Sequence, residues 1–266
     1  MSEVLLQRRD HNFVYLTLNR PDRRNALSIE LFKALDQTAQ ALHRDRSLRA
    51  VIISGAGPDF CTGLDIKSVM QSPAHGLRLL RKWLPGNANL AQRVSRRWRK
   101  IPVPVIVALH GHCWGGGLQI ALGGDFRIAS PDTKLSIMES RWGLVPDMAG
   151  NLALRELVGR DQALRWAMTS ESISAEQALR HGLISEIADN PIETATQLAQ
   201  AISRRSPDAV AAIKTLYTRH WLSSERRLLA AETFAQLRML ISRNRKIAVK
   251  RATEQADLPY VERGKR

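Results

Sequence analysis

Two periodicities of apolar residues run through the first 190 positions of the chain. Short apolar runs predict buried strands: FVYLTLNR at 13–20, AVIISG at 50–55 and PVIVALHG at 104–111. Between the first two runs, SIELFKALDQTAQALHRD at 28–45 repeats its apolar residues at helical spacing. This alternation predicts an α/β fold in which strands feed helices at one edge of a sheet.

From about Asn190 onward the periodicity is helical throughout. Helices are predicted for ETATQLAQAISRR, SPDAVAAIKTLYTRHW and SERRLLAAETFAQLRMLISRN, and Pro207 after Ser206 is typical of a helix start. The sequence shows no short-period repeat and no low-complexity linker. We therefore divide the chain into a core at 1–190 and a helical region at 191–266.

Two glycine-centred turns follow predicted strands: GPDFCTGLDIK at 57–67 and HGHCWGGGLQIALGGD at 110–125. Glycine lets the backbone turn sharply and approach a ligand, and free N–H groups at a helix start favour negative charge. A single glycine cluster is usually a plain turn, but the pair predicts an oxyanion hole for a thioester carbonyl. We expect its donors to be the N–H groups of Leu64 and Gly116.

The composition is that of an ordinary globular protein, with 44% hydrophobic residues in 266. No run is long and apolar enough to span a membrane, and the start MSEVLLQRRD lacks the features of a secretory signal, so we expect a cytoplasmic protein. The two cysteines, Cys61 and Cys113, have no disulfide or metal pattern. Reduced, buried packing is favoured for them over a nucleophilic role.

Several ordered motifs resemble one known family. They are RPDRRNALS (20–28), DFCTGLDIK (59–67), the glycine-rich segment 101–130, MESRWGLVPDMAG (138–150) and EQALRHGLISEI (176–187). The sequence is similar to the crotonase, or enoyl-CoA hydratase/isomerase, superfamily over nearly its whole length. The resemblance implies a ββα spiral core, a helical C-terminal region for oligomerisation and site closure, a homotrimer or dimer of trimers, and an acyl-CoA substrate of fatty acid metabolism.

The resemblance also implies which residues hold coenzyme A, which enters as part of the thioester substrate. The matching positions are Ala26, Leu64, Asp65, Ile66 and Lys67. Asp65 could equally serve as the N-cap of the next helix. The basic residues Lys246 and Lys250 are candidates for a phosphate contact, from the same or a neighbouring subunit. Neither a metal nor a redox cofactor is implied by any motif.

The acid–base residues depart from those of the family's hydratases, which use two glutamates. At the first of these positions the chain has Gln119, and at the second it keeps Glu139. A glutamine can hold a water molecule but cannot exchange its proton with it. Hydration would therefore rely on Glu139 alone, and we keep that reaction as the alternative.

Asp147 lies eight residues after Glu139, a spacing similar to that of the glutamate and aspartate of the family's dienoyl-CoA isomerases. Those isomerases carry a further aspartate where this chain has Gln119. Two carboxylates beside an acyl chain suit the migration of a double bond, so isomerisation is slightly preferred. Gly143 and Pro146 interrupt any helix between the carboxylates.

Each candidate also has a structural interpretation. Glu139 could pair with Arg141, and Asp147 could cap the helix in NLALRELVG. His110 and His112 fit structural roles better than that of a base. Asp147 also matches the nucleophile of crotonase-family dehalogenases, but a carboxylate, Glu139, replaces the aromatic residue that those enzymes carry.

The net charge of +15 allows a different function, because a basic surface attracts nucleic acid. The densest clusters are RVSRRWRK at 93–100 and SRNRKIAVKR at 242–251, and Trp98 in the first could stack on a base. A solvated helix face, or attraction of the phosphates of coenzyme A, explains the same charge. We keep a catalytically weak RNA-binding or scaffold protein as the non-enzymatic alternative, and expect no membrane insertion.

Overall fold

The computed structural model describes residues 3–66, 69, 73–254 and 257–264. The strands of the structure include one in each of the three apolar runs that predicted them, at 13–20, 50–55 and 104–111. They are β1 Leu5–Asp10, β2 Phe13–Leu18, β3 Ala50–Gly55, β4 Val105–Leu109, β5 His112–Trp114, β6 Phe126–Ala129, β7 Lys134–Ser136, β8 Ile173–Ser174 and β9 Glu186–Ile187.

Two sheets organise these strands. The larger has the order β1-β2-β3-β4-β6-β9, with β1 antiparallel to β2 and the other pairs parallel, and the smaller has the order β5-β7-β8. The long connections between parallel strands carry helices, as parallel pairing requires. The predicted α/β fold, with a crotonase-like ββα core, is confirmed.

Several helices begin at residues whose side chains cap them. Ser28 caps the first helix and Asn89 forms a capping box on the third, while Ser206 with Pro207 begins the ninth as predicted. The helices are α1 Ile29–Arg44, α2 Pro73–Leu80, α3 Leu90–Lys100, α4 Gly116–Ala121, α5 Asn151–Leu157, α6 Arg160–Thr169, α7 Ala175–Arg180, α8 Pro191–Ser203, α9 Pro207–His220, α10 Glu225–Leu240 and α11 Arg243–Thr253. Short 3₁₀ helices span Pro21–Arg23 and Glu139–Trp142.

The larger sheet is covered on both faces. Its main core packs against α1 and α3, with Trp98 and Phe32 fully buried. On the other face, Ala195 and Ala199 of α8 pack against apolar residues of β3, β4 and β6. Helix α8 therefore completes the sheet even though it follows residue 190, and the division of the chain at that residue stays a prediction.

The last helices are less buried. No described residue of α10 is buried, and Leu229, Phe234 and Leu237 are exposed on it. Among the described residues, no helix combines the length and the apolar character needed to cross a membrane.

Candidate active site

The two glycine turns meet beyond the carboxyl ends of β3 and β4. Cys61 forms a parallel bridge with Cys113: its N–H donates to the His112 carbonyl at 3.0 Å, and its carbonyl accepts from the Trp114 N–H at 2.9 Å. A Cβ atom at Gly117 would lie 2.5 Å from the carbonyl oxygen of Cys61. Only glycine at position 117 permits this approach of the two turns.

Two backbone N–H groups at this junction have the geometry of free donors. Leu27 bonds to Gly63 O and to Asp65 N at 2.7 and 3.1 Å, so the intervening Leu64 N–H points away from Leu27. Gly116 is the first residue of α4, where N–H groups have no partner within the helix. A Cβ atom on Gly63 would be 3.6 Å from Gly116 N, which shows how close the two donor segments lie.

A buried carboxylate fixes the backbone between the turns. Asp59 accepts from the Arg24 guanidinium at 2.5 Å and from the backbone N–H and Nδ1 of His112 at 2.8 and 2.6 Å. Burial by itself would raise the pKa of Asp59, but these bonds outweigh it and lower the pKa to about 2. His112 thus belongs to the scaffold, as predicted, and so does His110, whose Nε2 lies 3.0 Å from the Gly57 carbonyl.

The cysteines are structural. Both are buried, and the Cys61 thiol donates to the Asn25 carbonyl at 3.0 Å. Burial raises the pKa of Cys61 to about 12 and that of Cys113 well above its usual range. Burial therefore disfavours a reactive thiolate at either position and supports the packing role predicted for both cysteines.

The segment predicted to hold coenzyme A is fixed by an arginine that the sequence analysis did not single out. The guanidinium of Arg20 donates to the Ala26 carbonyl and, at 2.9 Å, to the Asp65 carboxylate. Both charged side chains are largely buried, at 18% and 17% exposure. Leu64 pairs with Leu27, the neighbour of Ala26, in a small parallel bridge, and Asp65 and Ile66 follow Leu64. Lys67 lies outside the described residues.

Glu139 and Gln119 form the polar centre of the candidate site. Gln119 Nε2 donates to Glu139 Oε1 at 2.5 Å, while Gln119 Oε1 accepts from the backbone N–H groups of Met148 and Gly150 at 2.8 and 3.3 Å. Glu139 Oε2 is buried without a hydrogen-bond partner among the described residues. Burial raises the pKa of Glu139, and the charge of Asp147 adds to the rise.

Asp147 lies in the irregular loop between the 3₁₀ helix and α5. Gly143 ends the 3₁₀ helix at a φ of 68°, so no helix joins the two carboxylates, as predicted. Asp147 is exposed at the surface, yet desolvation raises its pKa. The charge of Asp147 contributes to the raised pKa of Glu139, and the joint action of the two carboxylates stays a prediction.

Both structural interpretations of these carboxylates are wrong. Helix α5 begins after Gly150 with no side-chain cap, so Asp147 does not cap it. No ion pair joins Glu139 to Arg141 within the described parts of the chain, and the Glu139 carboxylate accepts from Gln119 Nε2 instead. For Asp65, the structure gives an ion pair with Arg20.

The first basic cluster, at 93–100, does not expose its aromatic residue to solvent. Trp98 is fully buried in the core, so it cannot stack on a nucleic-acid base. Arg93 and Arg97 pair with Asp36, and Arg99 pairs with Glu156. Lys246 and Lys250 of the second cluster are exposed on α11, and their contact with a phosphate stays a prediction.

The family is established by comparison with known proteins. The family model described as enoyl-CoA hydratase/isomerase matches residues 8–265. A solved enoyl-CoA hydratase from Mycobacterium smegmatis superposes with a TM-score of 0.85 at 26% identity, covering 97% of this chain and 99% of that one. The chain belongs to the enoyl-CoA hydratase/isomerase family of enzymes, the superfamily that its motifs resemble.

The curated relatives carry out different reactions. The 1,2-epoxyphenylacetyl-CoA isomerase of Escherichia coli is 33% identical, over 80% of this chain and 81% of the relative. The mitochondrial Delta(3,5)-Delta(2,4)-dienoyl-CoA isomerase of Rattus norvegicus is 31% identical, over 77% of this chain and 66% of the relative. The short-chain-enoyl-CoA hydratase of Clostridium acetobutylicum is also 31% identical, over 79% and 78%. Family membership alone thus leaves isomerisation and hydration to be distinguished.

Proposed function

We propose that the chain isomerises an enoyl- or dienoyl-CoA thioester. In this proposal the N–H groups of Leu64 and Gly116 hold the oxygen of the thioester enolate, and Glu139 moves a proton. An oxyanion donor of this kind contributes about 3 kcal/mol to stabilising a transition state. The close approach of the two donor segments and the buried, unpartnered Oε2 of Glu139 support these roles.

The observation that carries the preference for isomerisation is the hydrogen bonding of Gln119. Its oxygen accepts from two loop N–H groups and its Nε2 donates to Glu139, so the side chain is committed at both ends. Its oxygen is not available to orient a water molecule, and the amide cannot exchange a proton. In this proposal Asp147 serves as the second carboxylate, in place of the second glutamate of the hydratases.

Double-bond migration then needs no net atom from solvent. The ionised Glu139 Oε2 takes a proton from a carbon of the acyl chain, the electron pair of the broken C–H bond delocalises onto the thioester oxygen, and a protonated Asp147 returns a proton further along the chain. Proton exchange with solvent then restores both carboxyl groups. The raised pKa values of both groups suit this exchange, because a general acid or base works best when its pKa approaches the working pH. Substrate and product have the same mass.

Binding of coenzyme A is assigned to the bridge of Leu27 and Leu64 and its neighbours. Ala26, Leu64, Asp65 and Ile66 would contact the cofactor portion of the thioester, with Arg20 holding their backbone in place. Assembly into a trimer or a dimer of trimers is supported by the exposed apolar residues of α10, which an isolated subunit leaves in water.

The test is turnover of 2-enoyl-, 3-enoyl- and 3,5-dienoyl-CoA, followed by mass spectrometry and by the ultraviolet absorbance of conjugated products. Isomerisation without a gain of water, lost in both Glu139→Gln and Asp147→Asn, is the expected result. The exposed carboxylate of Asp189 gives a matched control, Asp189→Asn, which should keep full activity. Hydration that is lost only in Glu139→Gln would instead support the alternative of a hydratase that uses Glu139 alone. RNA binding without turnover would support the RNA-binding or scaffold alternative.

A further inference from the structure

A pocket lies at the edge of the larger sheet opposite the glycine turns. It is formed by α3, α5 and α9, and α3 ends at Lys100 just before β4 begins, so the pocket borders the amino ends of the strands. Its volume is about 170 Å³. We call it the basic pocket because six cationic side chains line it: Arg96, Arg99, Lys100, Arg155, Lys214 and Arg219.

Two of these cations are already neutralised. Arg99 donates to both oxygens of Glu156, at 2.9 and 2.7 Å, and Lys214 pairs with Asp125 at 2.6 Å. Glu156 is the acidic residue of the pocket lining. The remaining four cations, Arg96, Lys100, Arg155 and Arg219, have no ion pair within the parts of the chain that the structure describes.

The carboxyl end of α3 does not account for the four cations that have no ion pair. Cations stabilise the carbonyl end of a helix, and α3 ends in this pocket. However, Lys214 Nζ already donates to the carbonyls of Trp98 and Val103, at 3.2 and 2.9 Å. The pKa of Lys100 is lowered, first by desolvation and then by the charges of Arg96 and Arg219, so the surplus cations repel one another.

We propose that the basic pocket is an anion site that binds one or two phosphate groups. The pocket volume of about 170 Å³ is well above the roughly 10–15 Å³ that one water molecule needs on the same measure. The pocket therefore has room for a phosphate or diphosphate group. Guanidinium groups bind phosphate oxygens in a bidentate manner, and the hydroxyl of Thr218 adds a neutral donor to the lining. The site is separate from that of Glu139 and does not depend on acyl-CoA chemistry.

The test is calorimetric titration of the full chain with pyrophosphate at fixed ionic strength. The wild type should bind it saturably, and Arg96→Gln/Arg219→Gln should weaken binding at least about tenfold, because two charge-assisted bonds are lost. Arg180 is exposed on α7 and lies outside the pocket, so Arg180→Gln should bind like the wild type. Equal affinity for ADP and pyrophosphate would show that only phosphate is recognised. Tighter binding of ADP would show that the site recognises a nucleotide.

Thermal unfolding separates loss of the site from loss of the fold. Without anion, the double variant should be at least as stable as the wild type because repulsion is relieved, and pyrophosphate should raise the Tm of the wild type alone. The double variant should keep its acyl-CoA turnover. Absence of saturable binding, or unchanged affinity in the double variant, would overturn the proposal. Binding of RNA without binding of pyrophosphate would also overturn it and would indicate that the basic pocket binds nucleic acid.

Discussion

Gln119 Nε2 donates to Glu139 Oε1 at 2.5 Å, and the orientation of the Gln119 amide is set by the loop that follows Glu139. Its oxygen must face the N–H groups of Met148 and Gly150, so its NH₂ group must face Glu139. One oxygen of Glu139 is thereby engaged and the other left unpartnered and buried. Gln119 thus acts in our mechanism as a positioning residue that determines which oxygen accepts the proton.

Replacement of Glu139 by glutamine should separate activity from stability. Glu139→Gln removes the proton acceptor, and kcat should fall about 10²–10⁴-fold. The raised pKa means that the folded state favours the neutral carboxyl, so the ionised group destabilises the protein as pH rises through its folded pKa. Glutamine lacks this penalty, and the Tm of the variant at neutral pH should exceed that of the wild type. A lower Tm would show that the charge of Glu139 supports the fold.

Replacement of Gln119 by glutamate should shift the reaction toward hydration. One oxygen of the new carboxylate can still accept from Met148 and Gly150, and the other would face Glu139 and share a proton with it. The site would then hold two groups that exchange protons with water. Mass spectrometry of the products should show a larger fraction that has gained one water, whereas an unchanged ratio would mean that Gln119 does not limit hydration.

The elements of this fold could be predicted from sequence because their causes are local. Ser28 and the apolar spacing after it define α1, and the run at Ala50–Gly55 defines β3. The contacts of the site are not local: Gln119 bonds across 29 and 31 residues, and Arg20 reaches Asp65 across 45. No periodicity reports such pairs, so the sequence indicated the candidate residues and left their bonding open.

The arginines around Trp98 show the same limit, whereas Trp98 itself does not. Its basic neighbours suggested an exposed, nucleic-acid-binding face, but the helix is strongly amphipathic, and Trp98 lies on its buried side with Val94. The arginines on the other side form ion pairs with Asp36 of α1 and Glu156 of α5. Helical periodicity could have predicted the burial of Trp98, whereas the partners of the arginines depend on the tertiary packing.

A side chain at position 117, where the two glycine turns meet, should impair both folding and catalysis. In Gly117→Ala the new Cβ would lie 2.5 Å from the Cys61 carbonyl, so the backbone must shift, at a cost of about 1–3 kcal/mol in unfolding free energy. The shift would move the neighbouring Gly116 N–H, and kcat should fall. Gly76→Ala is the matched control because its Cβ meets no atom within 4 Å and alanine favours helix α2.

Arg20→Gln tests the assignment of the coenzyme A segment. The substitution removes the ion pair with Asp65 and the bond to the Ala26 carbonyl, while the acid–base groups stay in place. We expect KM for the acyl-CoA substrate to rise about tenfold because binding is weakened, and kcat to fall as well because Leu64, whose N–H is a proposed oxyanion donor, directly precedes Asp65. The exposed neighbour Arg23 gives the control Arg23→Gln. A fall in kcat at constant KM would contradict the assignment.

Asp59 should make the stability of the site region depend on acid pH. Its pKa is lowered to about 2 in the folded protein, so the ionised carboxylate stabilises the fold above the usual aspartate pKa. That contribution, about 2 kcal/mol at neutral pH, is lost as pH falls toward 2. In Asp59→Asn the Arg24 and His112 contacts lose their charged acceptor. The difference in unfolding free energy between wild type and variant, measured in denaturant, should therefore be largest near pH 7 and shrink below pH 4. A difference independent of pH would assign the stabilisation to packing instead of charge.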